Sequence, residues 1–356
     1  MKAMSRLTAW HRRLVLEGPQ DLRQWLLQCL LIPLGWIYGA IASVRVWIYR
    51  WGILSVYRAG VPVVSVGNLS VGGTGKTPMT DHLIRYFQDR GRKVAVVSRG
   101  YRGRVRDVAV VSAGDGPLLA PEISGDEPLL LARRNPGAVV LAAPRRSDGV
   151  RMAVERFGAG IVILDDGFQH LAVRRDLDIV LLDARRPLGN SRVLPAGLLR
   201  EFPSALKRGD LLVLTRSRGD EEFVLRHGKP LVRCRHAFGG MAASLSGESI
   251  PLTHLAGKKG VAFAGIADPE GFFDSLRYAG LDLVNTVSLP DHATYDEETL
   301  LLVEKVAGEA DFLVTTEKDG VKLIGDAFSL PCYQVSLKLE FFEPADLERA
   351  LDSLIE

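Results

Sequence analysis

The chain has 356 residues, of which 47% are hydrophobic and 24% are charged, and its formal net charge is +3. This length and apolar content suffice for two lobes, each with its own hydrophobic core. The small net charge excludes the strongly basic arm of a nucleic-acid-binding protein, so no nucleic-acid partner is expected. The three cysteines, Cys29, Cys234 and Cys332, are too widely spaced for a metal motif or a disulfide framework, which indicates a reducing compartment.

The N-terminal region differs in composition from the rest of the chain. It contains every tryptophan of the sequence: Trp10, Trp25, Trp36, Trp47 and Trp51. Between them, residues 25–44 are mostly apolar, and arginines flank this segment on both sides. Because this combination is typical of a membrane–water boundary, we predict a hydrophobic helix that dips into one leaflet. A full transmembrane span, a cleaved signal peptide and a helix packed on the protein's own core remain open as alternatives.

A glycine-rich loop follows a short apolar strand between Val61 and Pro78, and it ends in Gly75-Lys76-Thr77. This ending is the signature of a phosphate-binding P-loop, in which backbone N–H groups point at phosphate oxygens. Lys76 supplies charge for the β- and γ-phosphates, and the hydroxyl of Thr77 suits Mg²⁺. Ser70 occupies the position where the general pattern has a glycine. The motif predicts binding of a nucleoside triphosphate. The residues expected to bind this cofactor are Gly67, Asn68, Ser70, Val71, Gly72, Gly73, Thr74, Gly75, Lys76 and Thr77.

Short apolar runs alternate with helix-length stretches after the P-loop. These runs lie at residues 93–100, 138–143, 160–164, 179–182 and 211–215. The alternation predicts an α/β fold with a P-loop NTPase-type, doubly wound parallel sheet and functional groups at the carboxyl ends of the strands. The pattern restarts near Gly228 and predicts a second, smaller α/β lobe. We therefore expect a membrane-associating segment at 1–55, a P-loop core at 56–227 and a C-terminal lobe at 228–356.

Two adjacent acids, Asp165 and Asp166, directly follow the apolar run at residues 161–164. This is the Walker B arrangement, in which a strand delivers a carboxylate to Mg²⁺ or to its water shell. The sequence does not decide which of the two acids contacts the metal, and a turn that caps a helix is the alternative. His170 lies close by in sequence, either as a contact in the ligand shell or as a local hydrogen-bonding residue.

Two other motifs are ambiguous when each is considered alone. Gly125-Asp126-Glu127-Pro128 is typical of a helix N-terminus, where an acid caps the first turn. Pro290-Asp291-His292 follows a predicted strand, and its histidine is either a general base or an ordinary surface residue. The loops at 184–190 and 194–201 carry charged residues beside the triphosphate site, so they are candidates for contacts with nucleotide or acceptor.

These motifs, together with Ser98-Arg-Gly-Tyr101 and Thr316-Glu-Lys-Asp319, occur in an order that resembles the tetraacyldisaccharide 4′-kinase family of Gram-negative lipid A biosynthesis. The resemblance extends from the N-terminal hydrophobic segment to about residue 320, and Ser70 belongs to the family's own pattern. It implies an enzyme that uses ATP and Mg²⁺ to phosphorylate the 4′-hydroxyl of an acylated glucosamine disaccharide 1-phosphate, giving lipid IVA. It also implies a location at the cytoplasmic leaflet of the inner membrane.

The resemblance assigns the chemistry to a dyad of Asp126 and His292, which would orient and deprotonate the acceptor hydroxyl. Lys76 would stabilise charge on the transferring phosphoryl group. Because the dyad spans both lobes, we expect lobe closure to assemble the site and to exclude water.

The resemblance also suggests which residues hold the metal and the substrate. Thr77 and either Asp165 or Asp166 would position Mg²⁺, with Glu201 as a further metal candidate. The candidate substrate-binding residues are His170, Arg146, Arg200 and Asn190.

The alternative function is a membrane-associated P-loop ATPase or GTPase that acts as a switch or a chaperone. The segment Thr316-Glu-Lys-Asp319 is close to the guanine-specificity motif, but it carries Glu317 where asparagine is required. A cytosolic kinase for a soluble sugar or nucleoside is disfavoured by the tryptophan-flanked hydrophobic segment.

Overall fold

The computed structural model describes residues 10–11, 13–100, 106–221, 228–323 and 325–356. Tyr101, which belongs to one of the sequence motifs, lies outside the described residues. Within the described ranges, thirteen strands form one mixed sheet. The strands are β1 Val63–Asn68, β2 Val94–Ser98, β3 Ala109–Ala113, β4 Val139–Ala142, β5 Ile161–Asp165, β6 Leu177–Asp183, β7 Leu211–Thr215, β8 Leu231–Ser244, β9 Ser249–Pro251, β10 Lys259–Ala264, β11 Asp282–Ser288, β12 Phe312–Thr316 and β13 Cys332–Phe341.

Helices cover both faces of this sheet. The α-helices are α1 Leu22–Arg50, α2 Lys76–Gln88, α3 Pro121–Ser124, α4 Asp126–Arg134, α5 Arg146–Glu155, α6 Pro269–Tyr278, α7 Glu297–Ala307, α8 Glu317–Gly320 and α9 Ala345–Asp352. Two 3₁₀ helices, Pro203–Arg208 and Leu252–Leu255, lie in the connections.

Strands β1–β7 and their helices form what we call the P-loop half. The strand order is β7-β6-β1-β5-β2-β4-β3, and every neighbouring pair is parallel except β3 with β4. Strands β1, β2, β4 and β5 are buried along their whole length, which explains their continuous apolar sequences. The predicted doubly wound parallel sheet is therefore confirmed.

Strands β9–β13 and their helices form the C-terminal half, in which β11, β10, β12 and β13 are parallel neighbours. The long strand β8 joins the two halves into one sheet. Its first residues, Leu231–Arg233, pair in parallel with β7, and from Cys234 onward it pairs antiparallel with β13. Helix α9 then returns to the P-loop half, where Leu347 and Leu351 pack into the core beside α2. We propose residue 228 as the lobe boundary because it lies just before β8.

Helix α1 begins at Leu22, where the side chain of Asp21 caps it by accepting a hydrogen bond from the backbone N–H of Gln24. Its buried residues are Gly35 and Gly39. A Cβ atom at Gly39 would lie 2.5 Å from the ring of Phe202, so glycine permits this close packing against the P-loop half. The helix is apolar and long enough to cross a membrane. Over an 18-residue stretch of it the mean hydropathy is 1.7, and only 11% of that stretch is buried. The predicted hydrophobic N-terminal helix is thus confirmed, and its insertion into one leaflet stays a prediction.

Candidate active site

The P-loop connects the end of β1 to the start of α2, and internal hydrogen bonds fix its shape. The side-chain amide of Asn68 donates to the hydroxyl of Thr74 over 2.8 Å. Gly72 and Gly75 have φ angles of 136° and 86°, a region that residues with a Cβ rarely adopt. Gly75 directly precedes the first residue of α2, so the positive end of that helix faces the loop. Such an arrangement suits the binding of an anion.

The ten predicted nucleotide-binding residues divide into two groups. The seven residues from Val71 to Thr77 line a large cleft, as the P-loop motif predicted. The other three, Gly67, Asn68 and Ser70, do not line the cleft, and their contacts hold the loop in place. Ser70 forms an isolated antiparallel bridge with Leu199, and a Cβ atom at Gly67 would lie 2.5 Å from that of Phe168. Gly67 is therefore required where the acidic loop after β5 packs on β1.

Asp166 lies between two cations at the floor of the cleft. Its carboxylate is 3.5 Å from Nζ of Lys76, and both of its oxygens accept hydrogen bonds from Arg200 at 3.0 Å. Although burial opposes ionisation, Lys76 and Arg200 lower the pKa of Asp166 to about 2. The carboxylate is therefore ionised at neutral pH and faces the cleft while paired with Lys76 and Arg200.

Asp165 differs sharply from its neighbour, because its side chain is 1% exposed and does not line the cleft. It accepts hydrogen bonds from the hydroxyls of Thr80 at 3.3 Å and Ser98 at 3.2 Å. Burial, assisted by the negative charges of Glu127 and Asp166, raises the pKa of Asp165 to about 6. Of the two acids, Asp166 thus presents the ionised carboxylate to the cleft, while Asp165 anchors the loop to α2 and β2.

The residues beside the P-loop fit a magnesium ion. Thr77 and Asp166 both line the cleft and offer a hydroxyl and a carboxylate oxygen. Mg²⁺ is commonly held by one or two carboxylates, with water and phosphate oxygens completing its shell. No cluster of three or more His, Cys, Asp or Glu side chains suited to a metal occurs among the described residues.

Glu201 lines the cleft, but both of its oxygens are engaged. They accept hydrogen bonds from the guanidinium of Arg208 at 2.6 and 2.9 Å. The Asn190 side chain closes a local turn, donating to the carbonyl of Ala196 and accepting from the N–H of Arg192. These contacts give Asn190 a structural role, and Glu201 must exchange its partner before it binds a metal.

Arg146 and His170 were also predicted to bind substrate, and the structure places them differently. The guanidinium of Arg146 is buried and donates to the carbonyls of Ala143 at 2.6 Å and Asp165 at 3.3 Å. Burial lowers the pKa of Arg146 to about 10, which leaves it charged at neutral pH. His170 lines the cleft, and burial together with Arg146 lowers its pKa to about 4. A neutral imidazole therefore faces the cleft, whereas Arg146 holds the backbone of the acidic loop.

The predicted dyad residues meet across the two halves. Asp126 is the first residue of α4, and its Oδ2 lies 3.0 Å from Nδ1 of His292. His292 follows β11 with a φ of 59°, and its backbone N–H donates to the backbone carbonyl of Gly265. Although burial opposes ionisation, the contacts with His292 and Lys322 lower the pKa of Asp126. The dyad therefore consists of an ionised carboxylate and an imidazole in direct contact.

Sequence reasoning missed several charged residues around the dyad. Lys318 lies 3.3 Å from the other imidazole nitrogen of His292, and Lys322 lies 3.4 Å from Oδ2 of Asp126. Arg134, at the end of α4, bonds to Asp81 of α2 and to Glu317 of α8. Lys318 belongs to the Thr316-Glu-Lys-Asp319 motif, but a loop sequence does not show which side chain it approaches.

A cleft of about 1860 Å³ is bordered by the P-loop, by the loop after β5 and by the region of the dyad. The P-loop, Asp166 and Arg200 line one part of it, and His292 and Lys318 line another. Residues of α1, including Tyr38 and Arg45, also line this cleft. The P-loop, the dyad member His292 and the hydrophobic N-terminal helix thus all border the same cleft.

Comparison with known proteins identifies relatives of the whole chain. A family model described as "Tetraacyldisaccharide-1-P 4'-kinase" matches residues 27–356. The tetraacyldisaccharide 4'-kinase of Syntrophotalea carbinolica is 53% identical over 353 residues, covering 99% of each chain. That of Geobacter sulfurreducens is 45% identical over 328 residues, covering 92% of this chain and 93% of the relative.

A solved structure agrees with these sequence matches. The "apo" form of LpxK from Aquifex aeolicus in complex with ATP has a TM-score of 0.80 and 32% sequence identity. The alignment covers 93% of this chain and 100% of the other. Sequence and fold therefore agree over both halves that form the cleft. The chain belongs to the tetraacyldisaccharide 4′-kinase family.

Proposed function

We propose that this protein transfers the γ-phosphoryl group of ATP to the 4′-hydroxyl of tetraacyldisaccharide 1-phosphate, forming lipid IVA in lipid A biosynthesis. The observation that carries the proposal is the shared cleft, in which the P-loop Lys76 and the dyad member His292 both line the wall. A phosphoryl donor and an acceptor hydroxyl need this arrangement, because transfer requires positioning more than covalent chemistry.

The residues of the chain act in distinct ways in this reaction. The P-loop backbone cradles the phosphates, and Lys76 offsets the charge that develops on the transferring group. Thr77 and Asp166 would hold a Mg²⁺ ion, which would supply charge neutralisation at the phosphate oxygens. The dyad of Asp126 and His292 orients the acceptor hydroxyl and takes its proton as the O–P bond forms. ADP and the phosphorylated lipid are the products.

We infer that α1 brings this cleft to the cytoplasmic leaflet of the inner membrane. Its outward face exposes large apolar side chains, among them Leu30, Trp36, Ile37 and Ile41. Its inner face packs on the P-loop half, and Tyr38 and Arg45 line the cleft itself. An acylated disaccharide would keep its chains in the leaflet while its sugar enters the cleft. We propose Arg200 and His170 as contacts for its polar groups.

Phosphate transfer from labelled ATP to detergent-dispersed tetraacyldisaccharide 1-phosphate tests this function. Wild type should form labelled lipid, and Lys76→Ala should abolish it. The competing function, a membrane-associated switch or chaperone, predicts ATP or GTP hydrolysis without lipid labelling and is not favoured by the family match. Rapid ATP hydrolysis that the acceptor lipid does not stimulate would count against the kinase.

A further inference from the structure

The imidazole of His292 has a charged neighbour at each of its two nitrogens. Nδ1 lies 3.0 Å from Oδ2 of Asp126, and Nε2 lies 3.3 Å from Nζ of Lys318. Asp291 is also near Nε2, but its Oδ1 is 3.8 Å away, which is too long for a hydrogen bond. Lys318 is therefore the closer polar partner of Nε2.

The chemistry of these groups fixes the position of the imidazole proton. A lysine ammonium has three donors and no acceptor, so the nitrogen that it approaches must accept. Nε2 of His292 therefore carries no proton, and the proton of the neutral imidazole resides on Nδ1. From Nδ1 it is donated to the Asp126 carboxylate.

The surroundings keep Lys318 charged. Its side chain is mostly buried, and its Nζ lies 3.5 Å from Asp291 and 3.6 Å from Glu127. Although burial opposes the charged form, the carboxylates of Glu127 and Asp291 raise the pKa of Lys318. The group facing Nε2 is therefore an ammonium.

A second ammonium lies at the other end of the dyad. Nζ of Lys322 is 3.4 Å from Oδ2 of Asp126, and it also contacts Asp319 at 3.3 Å and the carbonyl of Ala293 at 3.0 Å. Among the described residues, the charged groups at the dyad thus include the carboxylate of Asp291 and the ammonium groups of Lys318 and Lys322.

We propose that Lys318 is a positioning residue of the dyad, which holds His292 as the neutral Nδ1–H tautomer by donating a hydrogen bond to Nε2. This inference rests on the proposed function for its catalytic meaning, although the tautomer itself does not depend on that function. With its Nε2 lone pair engaged, the imidazole orients the Asp126 carboxylate. The proton released from the acceptor hydroxyl then passes to Asp126 as the new O–P bond forms and the bond to ADP breaks.

The tautomer is measured by two-bond ¹H–¹⁵N NMR correlations on ¹⁵N-histidine-labelled protein. The chain has seven histidines, so His292 is assigned from the signals lost in His292→Asn. Wild type at neutral pH should show the Nδ1–H pattern. In Lys318→Met the Nε2 signal should move away from its wild-type position, because the hydrogen bond that Nε2 accepts is lost while Asp126 still holds the proton on Nδ1, and Lys318→Arg should retain the wild-type pattern. Lys305→Gln, an exposed substitution on α7, is the matched control.

Kinetics provide a second test. Lys318→Met should lower kcat by about 10- to 100-fold, the loss common when a partner that orients a functional imidazole is removed, with the KM for ATP unchanged. Lys305→Gln should match wild type.

Two results would overturn the proposal. One is an Nε2–H or imidazolium His292 in the wild type at neutral pH, a measurement that stands even if Lys318→Met fails to fold. The other is an unchanged Nε2 signal and an unchanged kcat in a folded Lys318→Met variant. If wild type forms no labelled lipid, the proposed function fails, whereas the NMR result still decides the assignment of the tautomer.

Discussion

Nδ1 of His292 and Oδ2 of Asp126 lie 3.0 Å apart, although 166 positions separate the two residues and they belong to different halves of the sheet. The contact is already made in this structure, so no lobe movement is needed to join these two side chains. Closure over the cleft remains our prediction for the exclusion of water.

Removal of either dyad member should slow the chemical step. We expect Asp126→Asn and His292→Asn each to lower kcat by about 10²–10⁴-fold, the usual contribution of a positioned acid–base group. The KM for ATP should change little, because neither side chain belongs to the P-loop. Initial rates of lipid phosphorylation at varied ATP concentration measure both constants. Full activity of His292→Asn would leave the family assignment intact and remove the dyad.

Asp166 and Asp165 should differ in their effect on the magnesium requirement. Asp166→Asn should raise the Mg²⁺ concentration needed for half-maximal activity by about tenfold or more, because an ionised oxygen ligand in the cleft is lost. Asp165→Asn should shift this concentration much less, since its carboxyl is buried beneath the cleft. Magnesium titrations of activity at saturating ATP compare the two variants. Equal shifts would contradict the assignment of Asp166 as the ligand.

Asp165 and Asp166 should also contribute to the stability of the folded state with opposite dependences on pH. Asp165 has a pKa of about 6, above its ordinary value of 3.8, so the folded state favours its neutral form. As pH rises from about 4 to 6, the unfolded chain ionises first, and the folded state loses about 3 kcal/mol of stability. Asp165→Asn cannot ionise, so its melting temperature relative to wild type should rise over this range and stay level above it.

For Asp166 the stability of the folded state should change with pH in the opposite direction, because the pKa of this carboxyl is lowered to about 2. Its contribution to stability is present above the ordinary value of 3.8 and is lost as pH falls towards 2. The melting temperature of Asp166→Asn relative to wild type should therefore be constant between pH 5 and about 7. Thermal melts of both variants across pH, followed by circular dichroism, test the pair. Parallel curves would refute the two opposite environments.

Arg134 should matter more for stability than Arg85, although both contact Asp81. The Arg134 side chain is 8% exposed and also bonds to Glu317 and to the carbonyl of Leu337, whereas that of Arg85 is 46% exposed. Arg134→Met should lower the free energy of unfolding by about 3–5 kcal/mol, because it removes the largely buried cation that pairs with both Asp81 and Glu317. The matched Arg85→Met should lower it by less than about 1 kcal/mol. Urea unfolding followed by circular dichroism compares them, and similar losses would contradict the prediction.

The exposed face of α1 should govern membrane binding. A double variant, Ile37→Lys with Ile41→Lys, should reduce co-flotation with phospholipid vesicles, because two exposed apolar side chains become charged. Phosphorylation of a short-chain, detergent-soluble acceptor should be retained. Leu301→Lys, a comparably exposed site on α7, is the control and should float like wild type. Unchanged flotation of the double variant would argue against α1 as the anchor.

Local sequence patterns predicted the parallel strands of the P-loop half but missed its antiparallel edge strand β3. Strands such as β1 and β5 are buried on both faces, so they appear in the sequence as continuous apolar runs. Strands β8 and β13 escaped prediction because their burial is only partial and irregular. The apolar, tryptophan-rich composition of residues 25–44 likewise indicated an exposed α1 before any packing was known.

The sequence by itself determined the triphosphate loop, the adjacent acids and the hydrophobic N-terminal helix, because each depends on residues that are neighbours in the chain. Only the tertiary structure decided which acid faces the cleft, since Asp165 and Asp166 differ in burial and not in residue type. It also brought Lys318 to His292, a contact made when the segment after β12 lies beside the one after β11. Distances between loops depend on how the strands are ordered in the sheet, and local periodicity carries no information about that order.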